Sequence, residues 1–367
     1  MKHKLLFVVS NLRRTGPVNQ LLYIISHLDK EKYEAKVLTL STETADTRIS
    51  DYQKNGIEVT SLSLSRLQGF FSAQKKIRDY IKVYNPDLIQ SQGIRADSLI
   101  SQLRNGVPWV STARNYPYED YPSKFGFIKG KFMAANHIKT LKKCNNLVSC
   151  SQSIANRLAD VGVSSQVIRN GVDISKLKEN NHKNSDRIKL ISVGSLIPRK
   201  NMKYLINVSN YLAELGFDFE LTILGDGPQL HDLKSVSCEN VKFVGQVNNV
   251  NDYLISSDIF ISSSLSEGLP NTVLEALACG LPVVLSDISS HREVAEQLPR
   301  EYSLLFSLEH SETSFSDELI SHITSLLSNE NQSISKDTIL KFGANAMSNN
   351  YQSLYEKILK CQKTIIQ

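Results

Sequence analysis

Short apolar runs alternate with longer segments of helical periodicity along most of the 367-residue chain. In the first half, the runs that predict strands are 5–10, 35–40, 57–62, 86–90, 108–112, 146–150 and 166–169. The segments that predict helices there are 18–28, 44–55, 71–84 and 96–104. Strands that alternate with helices form a parallel sheet covered on both faces, so the pattern predicts a doubly wound α/β domain.

The alternation is interrupted by the polar stretch 176–187 and then restarts. Beyond it we predict strands at 188–193, 219–224, 241–244, 259–263 and 283–285, helices at 202–215 and 271–279, and a mostly helical tail at 313–363. A chain of this length is long enough for two domains. We therefore predict two doubly wound domains in tandem, 1–167 and 168–348.

Charge is distributed unevenly between the two halves. Residues 1–167 hold 24 lysines and arginines against 13 acidic residues, whereas residues 168–367 hold 18 against 24. No acid falls between Tyr121 and Ala159, and within 124–144 lysines are interleaved with phenylalanine, isoleucine and methionine. This composition favours an anionic membrane surface as partner. A solvated helix with an ordinary core face is the alternative, and nucleic acid is disfavoured because no nucleic-acid motif accompanies the charge.

The cysteines and the longest apolar runs restrict the class of protein. Five scattered cysteines show no CxxC or histidine-rich spacing. This predicts a reduced, cytoplasmic protein without a structural zinc site. No apolar run approaches the roughly 18 residues needed to cross a bilayer.

The loop after predicted strand 188–193 carries a glycine and two cations. In doubly wound folds, ligands bind at the carboxyl ends of strands. Gly194 allows close backbone approach, and Arg199 and Lys200 could meet a phosphate leaving group, which gains negative charge in the transition state. The two cations could instead be solvated residues of a first helical turn. The helix macrodipole disfavours cations there, so the functional interpretation is preferred.

Two carboxylates eight positions apart, Glu267 and Glu275, enclose a glycine turn and a predicted helix start. Backbone N–H groups near Asn271, Thr272 and Val273 are candidate donors to a diphosphate. Glu275 could accept hydrogen bonds from ribose hydroxyls, and Glu267 from hydroxyls of a transferred sugar. The spacing alone fits equally well a capped helix with a solvated acidic face.

Taken together and in order, the motifs of residues 168–297 resemble the nucleotide-binding half of a family 4 retaining glycosyltransferase of the GT-B fold. The resemblance rests on Asn170-Gly171-Val172-Asp173, Arg199-Lys200, Gly225-Asp226-Gly227-Pro228, Phe243-Val244-Gly245, and the Glu267–Glu275 element with Ala276, Ala278, Gly280, Pro282 and Val283 behind it. It implies two Rossmann-like domains facing a central cleft, sugar transfer from a nucleotide donor with retention, and no metal or other cofactor. It also implies a last helix, about 349–367, that packs back on the first domain.

The first domain matches this family less closely. Gly16, in Thr15-Gly16-Pro17 after the first strand, resembles the family's glycine loop near the donor phosphates. Where many members carry histidines after the fourth and fifth strands, this chain has Gln92 and Arg114. Arginine is not a base near neutral pH, so Arg114 is expected to act electrostatically or in acceptor binding. Front-face attack assisted by the leaving phosphate, the family's usual chemistry, needs no protein base.

These features together predict a glycosyltransferase at the inner face of the plasma membrane. Its expected partners are a nucleotide-sugar and a lipid-linked glycan of surface polysaccharide assembly, such as capsule or O-antigen. One alternative is a non-catalytic glycan-binding or partner subunit derived from such an enzyme, which the intact donor-site residues disfavour. A sugar-nucleotide epimerase is a second alternative, and the acidic loop fits it less well.

Overall fold

The computed structural model describes residues 2–103, 106–174, 187–309, 311–328 and 334–366. The chain forms two units, one running up to Gly171 and resuming at Ala344, the other comprising Val172–Gly343. Most of the polar stretch 176–187, the end of predicted helix 96–104 and residues 329–333 of the predicted tail lie outside the described residues. No helix in the described ranges is both long and apolar enough to span a bilayer.

The first unit is built on seven strands. They are β1 (His3–Val9), β2 (Tyr33–Thr39), β3 (Glu58–Ser61), β4 (Leu88–Ser91), β5 (Trp109–Ala113), β6 (Asn146–Ser149) and β7 (Gln166–Val167). They pair in parallel in the order β3-β2-β1-β4-β5-β6-β7. The last five residues of β1 are all buried. A strand covered on both faces appears in sequence as a continuous apolar run, which is why β1 was predictable.

Helices cover both faces of this sheet. They are α1 (Gly16–Ser26), α2 (Ile49–Lys54), α3 (Arg66–Tyr84), α4 (Ile94–Ile100), α5 (Pro117–Phe125), α6 (Phe127–Leu141) and α7 (Gln152–Ala159).

The second unit holds six strands, β8 (Ile188–Val193), β9 (Phe219–Leu224), β10 (Val241–Gly245), β11 (Ile259–Ser262), β12 (Val283–Ser286) and β13 (Ser303–Phe306). They pair in parallel in the order β10-β9-β8-β11-β12-β13. The strand order of each sheet reverses once, between β1 and β4 in the first and between β8 and β11 in the second. Loops at such a switch point diverge and leave a crevice at the carboxyl edge of the sheet.

The helices of the second unit are α8 (Met202–Glu214), α9 (Leu230–Ser235), α10 (Val250–Ile255), α11 (Asn271–Ala278), α12 (Ser289–Ala295), α13 (Glu312–Ser328) and α14 (Lys336–Lys341). Two 3₁₀ turns, Pro198–Lys200 and Arg300–Tyr302, accompany them. The ring of Phe306 stacks 3.9 Å from that of Phe315 and 5.7 Å from that of Tyr204. These contacts fix α8 and α13 against the end of β13.

The last helix, α15 (Ala344–Ile366), belongs to the first unit. Tyr351 and Tyr355 of α15 are fully buried in the core that contains Leu21 and Ile25 of α1. Ser348 adds a 2.8 Å hydrogen bond to the carbonyl oxygen of Ile24. The end of the chain is therefore an integral part of the first core.

The doubly wound α/β prediction is confirmed in both units, with differences at the boundaries. The first unit extends to Gly171 because Ile168 lies in its core and Gln20 bonds both backbone groups of Gly171, at 2.8 and 3.0 Å. The helix predicted at 44–55 begins only at Ile49, so its predicted start is wrong. The residues before Ile49 form a loop, which Glu43 holds by accepting the N–H of Leu12. Strand β13 and the pairing of α5 with α6 were not predicted, although a helix with a core face was the alternative considered for 124–144.

Candidate active site

Most of the predicted site residues meet at the switch point of the second sheet. The loop 194–201 follows β8, and the loop 263–270 follows β11, its neighbour across the reversal of strand order. Eight of the ten predicted residues lie on these two loops or on α11. The other two, Gly16 and Arg114, belong to the first unit.

Glycines allow the loops after β8 and β9 to pack backbone against backbone. Gly225 has φ +137°, and a Cβ on it would lie 1.9 Å from the carbonyl oxygen of Gly194. A Cβ on Gly227 would lie 2.4 Å from the carbonyl oxygen of Leu196, and Leu196 N–H donates to Asp226. The Gly-Asp-Gly motif thus positions the cation-bearing loop. Gly194 leaves room for the Lys200 side chain, because a Cβ at position 194 would lie 3.2 Å from Lys200 Cε.

Arg199 and Lys200 lie in the 3₁₀ turn before α8, not in the first turn of that helix. Asn201 follows with φ 50°, a left-handed conformation that redirects the chain into α8. The side chains of Arg199 and Lys200 are only 17% and 15% exposed. The alternative of two solvated residues in a first helical turn is therefore wrong.

Glu267 joins the two cations. Lys200 Nζ donates to Oε1 of Glu267 at 2.5 Å, and Arg199 Nη1 donates to Oε2 at 2.9 Å. Ser264 Oγ adds a 2.8 Å hydrogen bond to Oε1. Burial by itself raises the pKa of the Glu267 carboxyl, but the charges of Lys200 and Arg199 outweigh burial and lower it to about 2. The carboxylate is thus ionised at every physiological pH.

Helix α11 begins beside this cluster. Asn271 is its first residue and Pro270 takes the N-cap position, with no side-chain cap. The Val273 N–H already donates to the Pro270 carbonyl at 3.1 Å, so it could offer a ligand only a shared hydrogen bond. The Thr272 N–H has no acceptor among the described residues. Unmet N–H groups at a helix start favour an anion.

Glu275 lies one turn further along α11 and has no cation or hydrogen-bond donor within the described parts of the chain. Burial raises the pKa of its carboxyl to about 7. The two glutamates of the motif therefore have opposite electrostatic surroundings. Glu267 is a fixed anion between two cations, whereas Glu275 is a carboxyl whose burial, without a partner charge, favours the protonated form up to near neutral pH.

His291 is a buried neighbour of this cluster that the sequence interpretation missed. Its Nδ1 lies 2.8 Å from the carbonyl oxygen of Ser286, and its Nε2 is buried without a partner in the described residues. Burial lowers the pKa of the His291 ring to about 4, although the charge of Glu267 acts in the opposite direction. Because Nδ1–H donates to a carbonyl, Nε2 presents a lone pair. The only sequence feature that could have indicated His291 is its position shortly after the predicted strand 283–285.

In the first unit, Gly16 is the first residue of α1, after β1. Gln92 follows β4, and Arg114 follows β5, so all three lie at the carboxyl edge of the first sheet. Arg114 donates from Nη1 to Oδ1 of Asn170. Within the described ranges, no group of three or more histidine, cysteine or acidic side chains could hold a metal ion.

Family models match both units. The model described as Glycosyltransferase Family 4 matches residues 14–176, and the model described as Glycosyl transferases group 1 matches residues 187–329. Together the two matches cover most of the chain.

Individual proteins are similar over the full length or over part of it. The O-antigen biosynthesis glycosyltransferase WclY of Escherichia coli is 23% identical over 381 residues, covering 97% of this chain and 99% of WclY. The Escherichia coli UDP-Gal:alpha-D-GlcNAc-diphosphoundecaprenol alpha-1,3-galactosyltransferase is 33% identical over 143 residues, 34% of this chain and 37% of that protein. The structure of Anabaena Alr3699/HepE in complex with UDP and glucose has a TM-score of 0.78 at 16% identity, covering 97% of this chain and 100% of that one. At this identity the similarity concerns the fold.

Proposed function

The chain belongs to the family 4, group 1 glycosyltransferases of the GT-B fold, and we propose that it transfers a sugar from a nucleotide-sugar to a lipid-linked glycan with retention of anomeric configuration. We further propose that the product enters a surface polysaccharide. The observation that carries this proposal is the cluster of Arg199, Lys200 and Glu267 at the switch point of the second sheet.

The two cations suit the leaving group of such a reaction. Departure of a nucleoside diphosphate places negative charge on the β-phosphate, and fixed positive charge stabilises the transition state more than the ground state. Lys200 and Arg199 are held by Glu267 before any ligand arrives, so little reorganisation is needed. Because these side chains supply the positive charge, we propose transfer without a metal ion.

The glutamates and the start of α11 would bind the remaining parts of the donor. The N–H of Thr272, which has no acceptor among the described residues, is suited to a phosphate oxygen. Glu275, with no protein partner in the described residues, is suited to a ribose diol. Glu267 would accept a hydroxyl of the transferred sugar on the lone pairs that the cations leave. The UDP bound by the structurally similar HepE makes UDP-sugars the first donors to test.

The acceptor proposal rests on two relatives. The name of WclY assigns that protein to O-antigen biosynthesis, and the name of the galactosyltransferase gives its acceptor as a sugar linked to diphosphoundecaprenol. A lipid-linked acceptor lies in a membrane, so the enzyme must reach a membrane surface.

The α5–α6 pair provides a surface suited to that requirement. Phe127, Ile128 and Phe132 are 67%, 85% and 70% exposed on the first turns of α6, and Phe125 is 45% exposed at the end of α5. Lys131 Nζ lies 4.2 Å from the centre of the Phe127 ring. Contiguous exposed apolar side chains beside lysines are typical of interfacial helices on anionic lipid. We propose that this surface, the α6 apolar face, docks on the cytoplasmic membrane.

Hydrolysis of donors in the absence of acceptor tests the function directly. The full chain would be incubated with UDP-, GDP- and ADP-sugars, and the released sugar followed by proton NMR. We expect one nucleotide class to be hydrolysed with first release of the anomer present in the donor. Release of the opposite anomer would contradict retention, and no binding or hydrolysis of any donor would contradict the proposal as a whole.

A further inference from the structure

Arg114 carries a positive charge that no described residue neutralises. Its Nη1 donates to Oδ1 of Asn170, but its Nε and Nη2 are buried without an acceptor among the described residues. No carboxylate of the described residues lies within 4.0 Å of the guanidinium. A guanidinium stays charged at every pH that a protein tolerates. Within the described residues, Arg114 therefore presents two charged donors that the protein does not pair.

Two phenols, Tyr52 and Tyr351, lie close enough to Arg114 to feel its charge. Burial raises the pKa of Tyr52 and of Tyr351, and the charge of Arg114 acts against burial at both. Neither phenol donates or accepts a hydrogen bond with Arg114: Tyr52 Oη donates to the Val18 carbonyl at 2.7 Å, and Tyr351 Oη pairs with Thr112. An unpaired buried charge destabilises a fold unless something else pairs with it.

Gln92, on the neighbouring strand end, adds an unmet acceptor. Its Nε2 donates to the carbonyl oxygen of Pro17 at 3.0 Å, which fixes the orientation of the amide. Its Oε1 is buried without a donor in the described part of the chain. β4 and β5 are paired in parallel with Ser91 opposite Ser111, so Gln92 is level with Thr112, and Arg114 lies two positions further along at the same carboxyl edge of the sheet. Together they offer two charged donors and one neutral acceptor.

We propose that Arg114 and Gln92 form a subsite for an oxyanion of the substrate that binds the first unit, either the carboxylate of a sugar acid or the phosphate of a glycosyl phosphate. Arg114 pairs with two oxygens of the anion through Nε and Nη2, an arrangement that the planar guanidinium favours. Gln92 Oε1 accepts a neighbouring hydroxyl. This inference rests on the proposed sugar transfer and narrows it to an anionic substrate.

The subsite is tested by ligand-observed NMR titration of the full chain. Saturating UDP is present throughout, so that the phosphate-binding groups near Lys200 are occupied. The probes are methyl β-D-glucuronide and α-D-glucose 1-phosphate, with methyl β-D-glucoside as the neutral comparison. Arg114→Gln removes the charge, and Arg114→Lys keeps the charge without the two-oxygen geometry. Arg78→Gln, which removes an exposed arginine of α3, is the matched control.

We expect the wild type to bind one anionic probe at least about tenfold more tightly than the glucoside. The preferred probe identifies the source, carboxylate or phosphate. Arg114→Gln should abolish the preference, Arg114→Lys should reduce it, and Arg78→Gln should retain it. Equal binding of all three probes by the wild type, or a preference that survives in Arg114→Gln, would overturn the inference.

Thermal unfolding without ligand separates this role from a structural one. If Arg114 is held unpaired for binding, Arg114→Gln should unfold at the same temperature as the wild type or at a higher one. A fall of several degrees in Arg114→Gln, with no anion preference in the wild type, would show that Arg114 only anchors Asn170. If UDP itself does not bind, the proposed function fails. If UDP binds and no anion is preferred, only this inference fails.

Discussion

Lys200 Nζ lies 2.5 Å from Oε1 of Glu267, although 67 positions separate the two residues in the chain. The same carboxylate accepts Arg199 at its other oxygen, so one acid holds both cations of the candidate donor site. This pairing gives Glu267 two effects that can be measured separately. It fixes the positions of the cations, and it neutralises part of their charge.

Glu267→Gln should separate nucleotide binding from sugar transfer. The neutral amide leaves the positive charge of Lys200 and Arg199 less compensated, so affinity for UDP should stay the same or rise. Turnover should fall by about 100-fold or more, because the carboxylate that orients the transferred sugar is lost. Calorimetry and a transfer or hydrolysis assay measure the two quantities.

The control for Glu267→Gln is Glu220→Gln. Glu220 also accepts a lysine, Lys242, at 2.5 Å, but in the strands β9 and β10. Breaking that pair should change neither quantity. A parallel loss of UDP affinity and turnover in Glu267→Gln would show instead that Glu267 is needed mainly to build the phosphate site.

Glu275 should make stability depend on pH in a defined direction. Burial raises the pKa of its carboxyl to about 7 in the folded state, above the ordinary value of an unfolded chain near 4.3. The folded protein therefore binds the extra proton between these pH values, and the stability it contributes is present at low pH and lost as pH rises through about 7. Relative to wild type, Glu275→Gln should gain free energy of unfolding between pH 5 and pH 8.

Urea unfolding at several pH values measures this difference. Glu296→Gln, which removes an exposed carboxylate just after α12, is the matched control. Acid destabilisation from His291, whose pKa is lowered to about 4, is common to both variants and cancels in the comparison. Parallel curves for wild type and Glu275→Gln would contradict the assigned environment of Glu275.

Gly225→Ala should destabilise the second unit far more than Gly216→Ala. Both glycines have positive φ, +137° and +71°, but only at Gly225 would the new Cβ meet a backbone atom, 1.9 Å from the carbonyl of Gly194. We expect Gly216→Ala to cost about 1–2 kcal/mol from backbone conformation alone. Gly225→Ala should exceed about 3 kcal/mol. Denaturant titration measures both, and equal losses would mean that the two loops do not pack as described.

The α6 apolar face should govern membrane binding. Phe127→Ser combined with Ile128→Ser removes two side chains that are 67% and 85% exposed. Since no buried contact is lost, folding should persist, while partition onto anionic vesicles should fall at least about tenfold. Val83→Ser removes an apolar side chain that is 88% exposed on α3 and serves as the control. Unchanged cosedimentation of the double variant, or equal losses in both, would exclude this face as the docking surface.

Local sequence pattern predicted two strands of the second unit at their observed bounds. Strands 188–193 and 219–224 coincide with β8 and β9, because each is a short, mainly apolar run in which polar residues such as Lys189 and Glu220 are few. β13 was not predicted, because Ser303–Phe306 is short and its position in the sheet depends on its pairing with β12. The α5–α6 pair was not predicted because Pro122 lies inside α5. Gly130 allows α6 to pack closely on α5, since a Cβ at position 130 would lie 2.4 Å from Pro122 Cα.

The sequence predicted which loops form the candidate site, but not which of their side chains contact one another. In a parallel sheet the loops that follow the strands, 194–201 and 263–270 among them, lie at one edge, and the parallel sheet follows from the alternation of strands and helices. That Glu267 would bind both cations depends on side-chain directions that linear spacing does not contain. His291 was missed for the same reason, since its proximity to Glu267 arises only when β11 and β12 pair.

The central claim is that Lys200, held by Glu267, binds the donor diphosphate. Calorimetric titration of UDP, or of whichever nucleoside diphosphate the donor panel selects, into wild type and Lys200→Ala tests it most directly. We predict a dissociation constant raised at least about tenfold in Lys200→Ala, the usual effect of removing a charged hydrogen bond, with an unchanged circular dichroism spectrum. An unchanged dissociation constant in a folded Lys200→Ala protein would contradict the claim.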